Sequence, residues 1–303
     1  MSLLIEHGGT LATLQDGGRH GVRHLGVTQG GAADWVSHGL ANALLGNPRQ
    51  AAVIEITFGG LTLVAESDVC LALCGADLGA TLDGEPLRPW RSFRLHKGQR
   101  LRFAQPRQGV RAYLAAPGGF EAPTMLGSYS SVLREGLGGL HGDGRPLAQG
   151  DRLNWPGISS SPRELSAAQI PDLGSQTPLS VVLGAQIGDF TGQSLFDAFN
   201  SDWEVDARAD RMGVRLLGPE LRCTRRSMVS EGVPLGALQV PADGQPIVLL
   251  NDRQTIGGYP RLGALTPLSV ARLAQCLPGT RLRLTPVGLD IAQRQHRHWL
   301  GAT

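Results

Sequence analysis

Glycine fills 42 of the 303 positions and proline another 19. That glycine share is about twice the roughly 7% usual in globular chains. Glycine costs backbone entropy inside a helix or strand, and it supplies the positive φ that turns and bulges demand. Long uninterrupted elements are therefore disfavoured, and short strands joined by many turns are expected. Hydrophobic residues make up 41% of the chain and charged residues 18%, so a packed core can form. At roughly 100–200 residues per domain, the length suits two domains.

The hydrophobic pattern agrees. Residues 51–64 run apolar through Val53, Ile54, Ile56, Leu61 and Leu63, with a break at Gly59-Gly60. Residues 69–74 and 110–116 are short apolar runs of the kind that form buried strands. Asp83-Gly84 predicts a two-residue hairpin turn within 80–87. Lys97-Gly98, between 92–95 and 100–103, predicts another. In the second half, 179–183, 215–217, 228–230, 238–240, 247–250 and 281–286 read as strands. Three helices are predicted: Asp34 caps one running to about Leu45, Thr191 starts a short one through Phe199, and Thr266-Pro267 opens one whose apolar face is Val270, Leu273, Ala274 and Leu277. The Ser/Pro-rich stretch Gly157–Pro178 reads as a linker or surface strap. The expected organisation is a domain over 1–157, a linker over 158–177 and a second domain over 178–303, mainly β and of barrel or sandwich type.

Several function classes drop out. The net charge is +2 and the basic residues are scattered, with Arg222–Arg226 and Arg294–His298 as the dense clusters, so no nucleic-acid footprint is expected. Lys97 is the chain's one lysine. It follows no phosphate-binding glycine loop and does not sit between methionines, so no phosphate-loop nucleotide site and no covalently attached biotin are expected. Cys70, Cys74, Cys223 and Cys276 match no zinc or redox spacing and read as small apolar side chains. No run approaches the ~18 apolar residues that span a membrane. The N-terminus lacks an export pattern, so the expected compartment is the cytoplasm. His296 and His298 lack a nearby carboxylate, and no metal is expected.

Four segments carry unusual polar residues. Residues 15–34 mix six glycines with Asp16, Arg19 and Asp34. Residues 206–216 place Asp210 beside Arg211, and Arg suits bidentate recognition of carboxylate or phosphate. Residues 230–241 hold Glu231 and Gln239 among apolar neighbours, where an unpaired polar group costs several kcal/mol, roughly 2–7 for an amide. Residues 251–260 crowd Asp252, Arg253, Gln254 and Thr255 at a strand end before Gly257-Gly258-Tyr259-Pro260, which offers donors, acceptors and backbone access to a small molecule.

Taken in order, these segments resemble a known family. Gln15-Asp16-x-Gly18-Arg19, Gly26-Val27, Gly30-Gly31, Asp34, Ala41-Asn42 and Glu55-x-Thr57 are similar to the start of the KipA-like, or allophanate hydrolase subunit 2, family. Cys74-Gly75-Ala76-Asp77, Arg111-Ala112-Tyr113-Leu114, Asp210-Arg211-Met212-Gly213, Ser230-Glu231-Gly232, Gly236-Ala237-Leu238-Gln239 and Gln254-Thr255-x-Gly257-Gly258-Tyr259-Pro260 continue the match over nearly the whole chain. Ala209 stands where the family has Ser, and Ile256 where it has Thr.

The resemblance implies two cyclophilin-like β-barrel domains. It implies two protein partners, one KipI-like (the B-type component of 5-oxoprolinase) and one LamB/YcsF-like (its A-type component). Family members are linked to ATP-dependent opening of 5-oxoproline to glutamate, to the carboxyltransferase part of biotin-dependent urea carboxylase, and to non-catalytic regulation of a kinase inhibitor. Lactam hydrolysis is the leading expectation, with a small anionic amide as substrate and ATP bound here or by a partner. On that reading Glu231 or Asp252 does the acid–base work and Arg211 holds the anion. Asp210, Gln239, Gln254 and Tyr259 bind and orient the substrate, and Asp16, Arg19 and Asp34 form a second site or an interface.

Overall fold

The structure is a computed structural model that describes residues 1–157, 161–175, 177–225 and 228–302. The chain forms two compact units. One is Met1–His20 with Gly30–Gly174, and the other is Gly21–Gln29 with Ser175–Thr303. The segment Gly21–Gln29, counted with the first domain by sequence order, thus belongs to the unit built by the second half. The strap expected over 158–177 lies partly outside the described residues. Residues 163 and 164 fasten it to the first unit, where Ser92 N donates to Arg163 O at 2.7 Å and Arg91 Nη2 reaches Glu164 Oε1 at 2.7 Å.

The first unit holds two antiparallel sheets. One runs Arg152–Asn154, Ser2–Gly8, Leu61–Ala65, Arg100–Arg102, Thr81–Leu82, Glu85–Pro86 in spatial order. The other runs Leu11–Gln15, Val53–Thr57, Gln108–Ala115, Val69–Asp77, Arg91–Leu95. Leu3, Ile5, Leu14, Ile54, Ile56, Leu61, Leu63, Leu71, Leu101 and Leu114 belong to their common core. Leu61–Ala65 alternates buried and half-buried residues, as a strand with one covered face does. Val53–Thr57 is buried at every position, because the strands in the middle of the second sheet are covered on both faces. Helix α1 (Trp35–Leu45) packs against Val69–Asp77 and Gln108–Ala115. Asp34 caps it, and Gly46 ends it in the left-handed conformation.

Two turns show what the sequence pattern can and cannot say. Asp83 and Gly84 both take positive φ, and the flanking strands pair as a hairpin. At Lys97-Gly98 the turn also forms, but Arg91–Leu95 pairs with Val69–Asp77 whereas Arg100–Arg102 pairs with Leu61–Ala65 and Thr81–Leu82. The expected second hairpin is instead a crossing from one sheet to the other. At Gly75 a Cβ would stand 2.5 Å from Arg111 O, so glycine is required where that pairing slips register.

The second unit is one eight-stranded sheet and a small ribbon. The order is Arg281–Leu282, Trp203–Val205, Gly213–Leu217, Ile247–Leu249, Ala237–Gln239, Arg261–Leu265, Leu179–Leu183, Leu284–Pro286. The two outermost strands are separated in sequence by Arg283 alone. The sheet must therefore curl until its edges nearly meet, which makes it an almost closed barrel. Val181, Trp203, Val205, Leu216, Leu238, Val248, Leu262 and Val270 belong to its core, each buried aliphatic contributing about 1.5–3 kcal/mol.

Helices α2 (Gly192–Asn200) and α3 (Pro267–Leu273) start on the caps Thr191 and Thr266. Leu277, expected on the apolar face of α3, lies beyond its end and is exposed. Helix α4 (Leu289–Ala302) has no counterpart among the helices expected from the sequence. The strand expected at 228–230 forms instead at Glu231–Gly232, which pairs with Ile256–Gly257 as a separate ribbon. No helix among the described residues is long and apolar enough to cross a membrane. The fold is mainly β, as expected.

Candidate functional site

In the first unit, the two ends of the polar 15–34 segment, which carry Asp16, Arg19 and Asp34, form an internal scaffold. Asp16 is saturated: Oδ1 accepts from Gly18 N at 2.8 Å, Ser128 Oγ at 2.7 Å and Ser130 Oγ at 2.5 Å, and Oδ2 accepts from Tyr129 N at 2.8 Å. Arg19 is 0% exposed and donates to Met125 O and Ser130 O. Asp34 accepts from the Val36 and Ser37 amides and from Ser37 Oγ. These three are expected at a second site or an interface, but they are buried and committed to capping and loop closure. A buried carboxylate must find donors, and here it finds them within its own unit.

A companion network involves motif residues to which the reading from sequence gives no site role. Glu55 lies inside the buried strand Val53–Thr57 and accepts from Ala33 N at 2.8 Å and Tyr113 Oη at 2.9 Å. Arg111 Nε stands 3.7 Å from its other oxygen. Burial and the neighbouring Glu55 and Asp34 push the Tyr113 hydroxyl well above its usual range, so it stays a donor. Burial lowers His38, which stays neutral near pH 7. A lone acid in an apolar strand is the sequence signal for this network.

The second unit gathers most of the candidate chemistry. Glu231 lies on the ribbon strand opposite Gly257. Its Oε1 accepts from Gln186 Nε2 at 3.0 Å and from Arg261 Nη2. Both bonds end on Oε1, so Oε2 has no partner among the described residues. The side chain is 39% exposed, which keeps that oxygen within reach of water. Gln239 sits two positions along the barrel strand from Ala237 and is 2% exposed, yet its Nε2 has no hydrogen-bond partner among the described residues. That amide lies against Gly257, where a Cβ would come within 2.7 Å of Gln239 Nε2 and 3.5 Å of Gln254 Nε2. Gly257 therefore lets two amide side chains and the Glu231 ribbon share a small space. Tyr259, two residues on, is exposed at the rim.

Other expected roles change. Arg211 and Asp252 bind each other bidentately, both buried, so neither is free for a ligand as it stands. Asp210 accepts from the Met212 and Gly213 amides and shapes the turn into the strand Gly213–Leu217. The Arg222–Arg225 cluster lines a hollow of about 470 Å³, but Arg225 pairs with Asp189 and Arg222 with Glu220 (Arg226 lies outside the described residues). No group of three metal-ligating side chains occurs among the described residues.

Two cations near Gly257 carry no role in the reading from sequence. Arg253 is 3% exposed and donates to Val233 O, Leu250 O and Gln29 Oε1. Arg23 donates from Nη2 to Val233 O at 2.7 Å and to Thr255 O at 2.9 Å. All of these acceptors are neutral.

Comparison with known proteins agrees with this architecture. The profile of the family described as "Carboxyltransferase domain, subdomain A and B" matches residues 25–286. The chain is 39% identical to the C-type component of 5-oxoprolinase from Escherichia coli K12, covering 98% of this chain and 96% of that one. It is 32% identical to the Haemophilus influenzae protein of the same name, covering 94% and 91%. The crystal structure of the Kluyveromyces lactis urea amidolyase superposes with a TM-score of 0.93 at 25% identity, covering 99% of this chain and 20% of that much longer one. The ordered motifs, the mainly β architecture and these extended matches agree, and the chain belongs to the family of carboxyltransferase domains with subdomains A and B.

Proposed function

We propose that the chain is the C-type component of a 5-oxoprolinase, opening 5-oxoproline to L-glutamate at the expense of ATP together with partner proteins. One observation carries the reading: the similarity to the bacterial 5-oxoprolinase component covers nearly all of both chains, whereas the chain spans 16–17% of the yeast urea amidolyases it matches. Such two-sided coverage, at higher identity, is what two versions of one component give.

The chemistry asks for an activated amide. An amide carbon is a poor electrophile. Transfer of the terminal phosphoryl group of ATP to the lactam oxygen, with ADP leaving, makes it a good one. Water then adds to that carbon, the C–N bond breaks as the nitrogen takes a proton, and a second water releases phosphate. Glu231 Oε2 is the group on this chain suited to take the proton of the attacking water, with Arg261 and Gln186 orienting the carboxylate through Oε1. Gln254 Nε2 is the donor suited to the lactam oxygen as charge develops on it. ATP is assigned to a site shared with, or held by, a partner. The partners are a KipI-like protein and a LamB/YcsF-like protein, and the complex works in the cytoplasm.

A second reading rests on the 0.93 TM-score to a urea amidolyase: carboxyl transfer from carboxybiotin to an amide, with the same residues holding the acceptor. Reconstitution with the partner proteins decides. ADP release that depends on 5-oxoproline supports the first reading. Urea-dependent consumption of carboxybiotin without such release overturns it. No turnover with every partner present points to a regulatory binding protein of the KipA type.

A further inference from the structure

The arginines of the second unit are unevenly paired. Arg211 has a carboxylate partner, and so do Arg208, Arg215 and Arg261. Arg23 and Arg253 have none among the described residues: their acceptors are the carbonyl oxygens of Val233, Leu250 and Thr255 and the amide oxygen of Gln29. The two guanidinium groups also meet, because Arg23 Nη2 and Arg253 Nε donate to the same Val233 oxygen. Two like charges held side by side, one of them 3% exposed, are an unfavourable arrangement unless an anion joins them.

Two donors around them remain unused. Arg23 Nη1 is buried without a hydrogen-bond partner among the described residues, and so is Gln239 Nε2. Both belong to the same neighbourhood. Arg23 spans Val233 and Thr255, while Gln239 Nε2 and a Val233 methyl both crowd the space above Gly257, at 2.7 and 3.1 Å from a Cβ there. A carboxylate has two oxygens, and a planar guanidinium edge with an amide N–H matches them in number and kind.

We infer that Arg23, Arg253 and Gln239 form an anion subsite that takes the carboxylate of a small amide substrate. The inference rests on the proposed function for the identity of that substrate, and on the charge arrangement alone for the anion. It moves the anion-binding role from Arg211, which is neutralised by Asp252, to a pair whose charge is uncompensated. Burial and the neighbouring Arg23 charge already push the Arg253 guanidinium down to about 9, the direction an arriving anion would reverse.

The test uses the full chain and the reconstituted complex. Arg23 is half-buried, so Arg23→Gln should fold, and circular dichroism checks that it does. With the chain alone, 5-oxoproline should raise Tm saturably, while its neutral carboxamide and inorganic phosphate should not, and Arg23→Gln should abolish the rise. In the complex, Arg23→Gln should raise KM for 5-oxoproline about tenfold or more with kcat little changed, the mark of lost uniform binding. An unchanged KM, or equal stabilisation by the neutral carboxamide, overturns the subsite. Phosphate protection that Arg23→Gln removes also overturns the carboxylate assignment and makes the pair a phosphoryl site. Turnover of 5-oxoproline with unaltered KM in Arg23→Gln leaves the proposed function standing and the subsite refuted. Carboxybiotin-dependent turnover of urea, with 5-oxoproline still stabilising the chain through Arg23, does the reverse.

Discussion

Arg211 and Asp252 are joined by two hydrogen bonds of 2.9 Å, one from Nε and one from Nη2, with both side chains 9% exposed. A carboxylate so engaged is a strut between the turn at 210–213 and the strand end at 250–253, which are also tied by Asp252 N to Arg211 O at 2.9 Å. Removing one partner takes this bidentate contact away from a charge that stays in the interior, at a cost of about 3–5 kcal/mol. Arg211→Ala and Asp252→Ala should each lower the midpoint of urea unfolding sharply, and Arg211→Met with Asp252→Leu should recover much of the loss. A single variant with wild-type stability would show that the pair holds nothing together.

Glu231 should behave differently, because its side chain is partly exposed and its Oε2 is free among the described residues. Glu231→Gln keeps an oxygen for Gln186 and Arg261, so stability should fall by no more than about 1 kcal/mol. If Oε2 receives the proton of the attacking water, kcat in the reconstituted complex should drop by about 10²–10⁴-fold. Turnover within a factor of a few of wild type would remove Glu231 from the chemistry.

Gly257 tests the packing of the amides. Its backbone does not need positive φ, so alanine is tolerated by the main chain. The added methyl would stand 2.7 Å from Gln239 Nε2, and the Gln239 side chain must move. The expected result is an apparent KM raised by about tenfold with Tm shifted by a few degrees at most. A large loss of Tm with unaltered KM would make Gly257 a folding residue only.

Acid stability should carry a signature of Asp206. Hydrogen bonds from Arg208 lower its carboxyl to about 2. A carboxylate depressed in the folded state stabilises at pH above its unfolded value, roughly 3.9, and that contribution disappears as pH falls through about 2. Asp206→Asn should therefore flatten the Tm profile between about pH 4 and pH 2. Arg208 is 72% exposed, so added salt should shrink the effect in the wild type. An identical profile for variant and wild type would rule the pair out.

Much of the fold can be read from local pattern. The strands at 53–57, 61–65, 179–183 and 247–249 follow apolar runs, and helices α1, α2 and α3 begin on Asp34, Thr191 and Thr266 as capping chemistry requires. Ser2–Gly8 and Arg261–Leu265 are strands that the pattern does not announce, and α4 escapes it because its polar residues outnumber its apolar ones. At the candidate site, Glu231, Gln239 and Gln254 are recognisable as polar groups among apolar or glycine neighbours. Arg253 stands in the same motif but is indistinguishable in kind from Asp252 and Gln254. Arg23 lies more than two hundred positions from Val233, and no spacing rule connects them.

Glycine content, strand rhythm, helix caps and the ordered motifs determined by themselves that this chain is mainly β and belongs to its family, since these depend on residues near in sequence. Which cations are neutralised and which are left bare was decided only by tertiary structure. Hydrogen bonds and charge pairing act through space, and the barrel that curls until Arg281–Leu282 and Leu284–Pro286 become its two edges sets which distant side chains meet. Arg211 and Arg253 look alike in the sequence; one meets a carboxylate across the turn and the other, among the described residues, meets neutral oxygens and a second arginine.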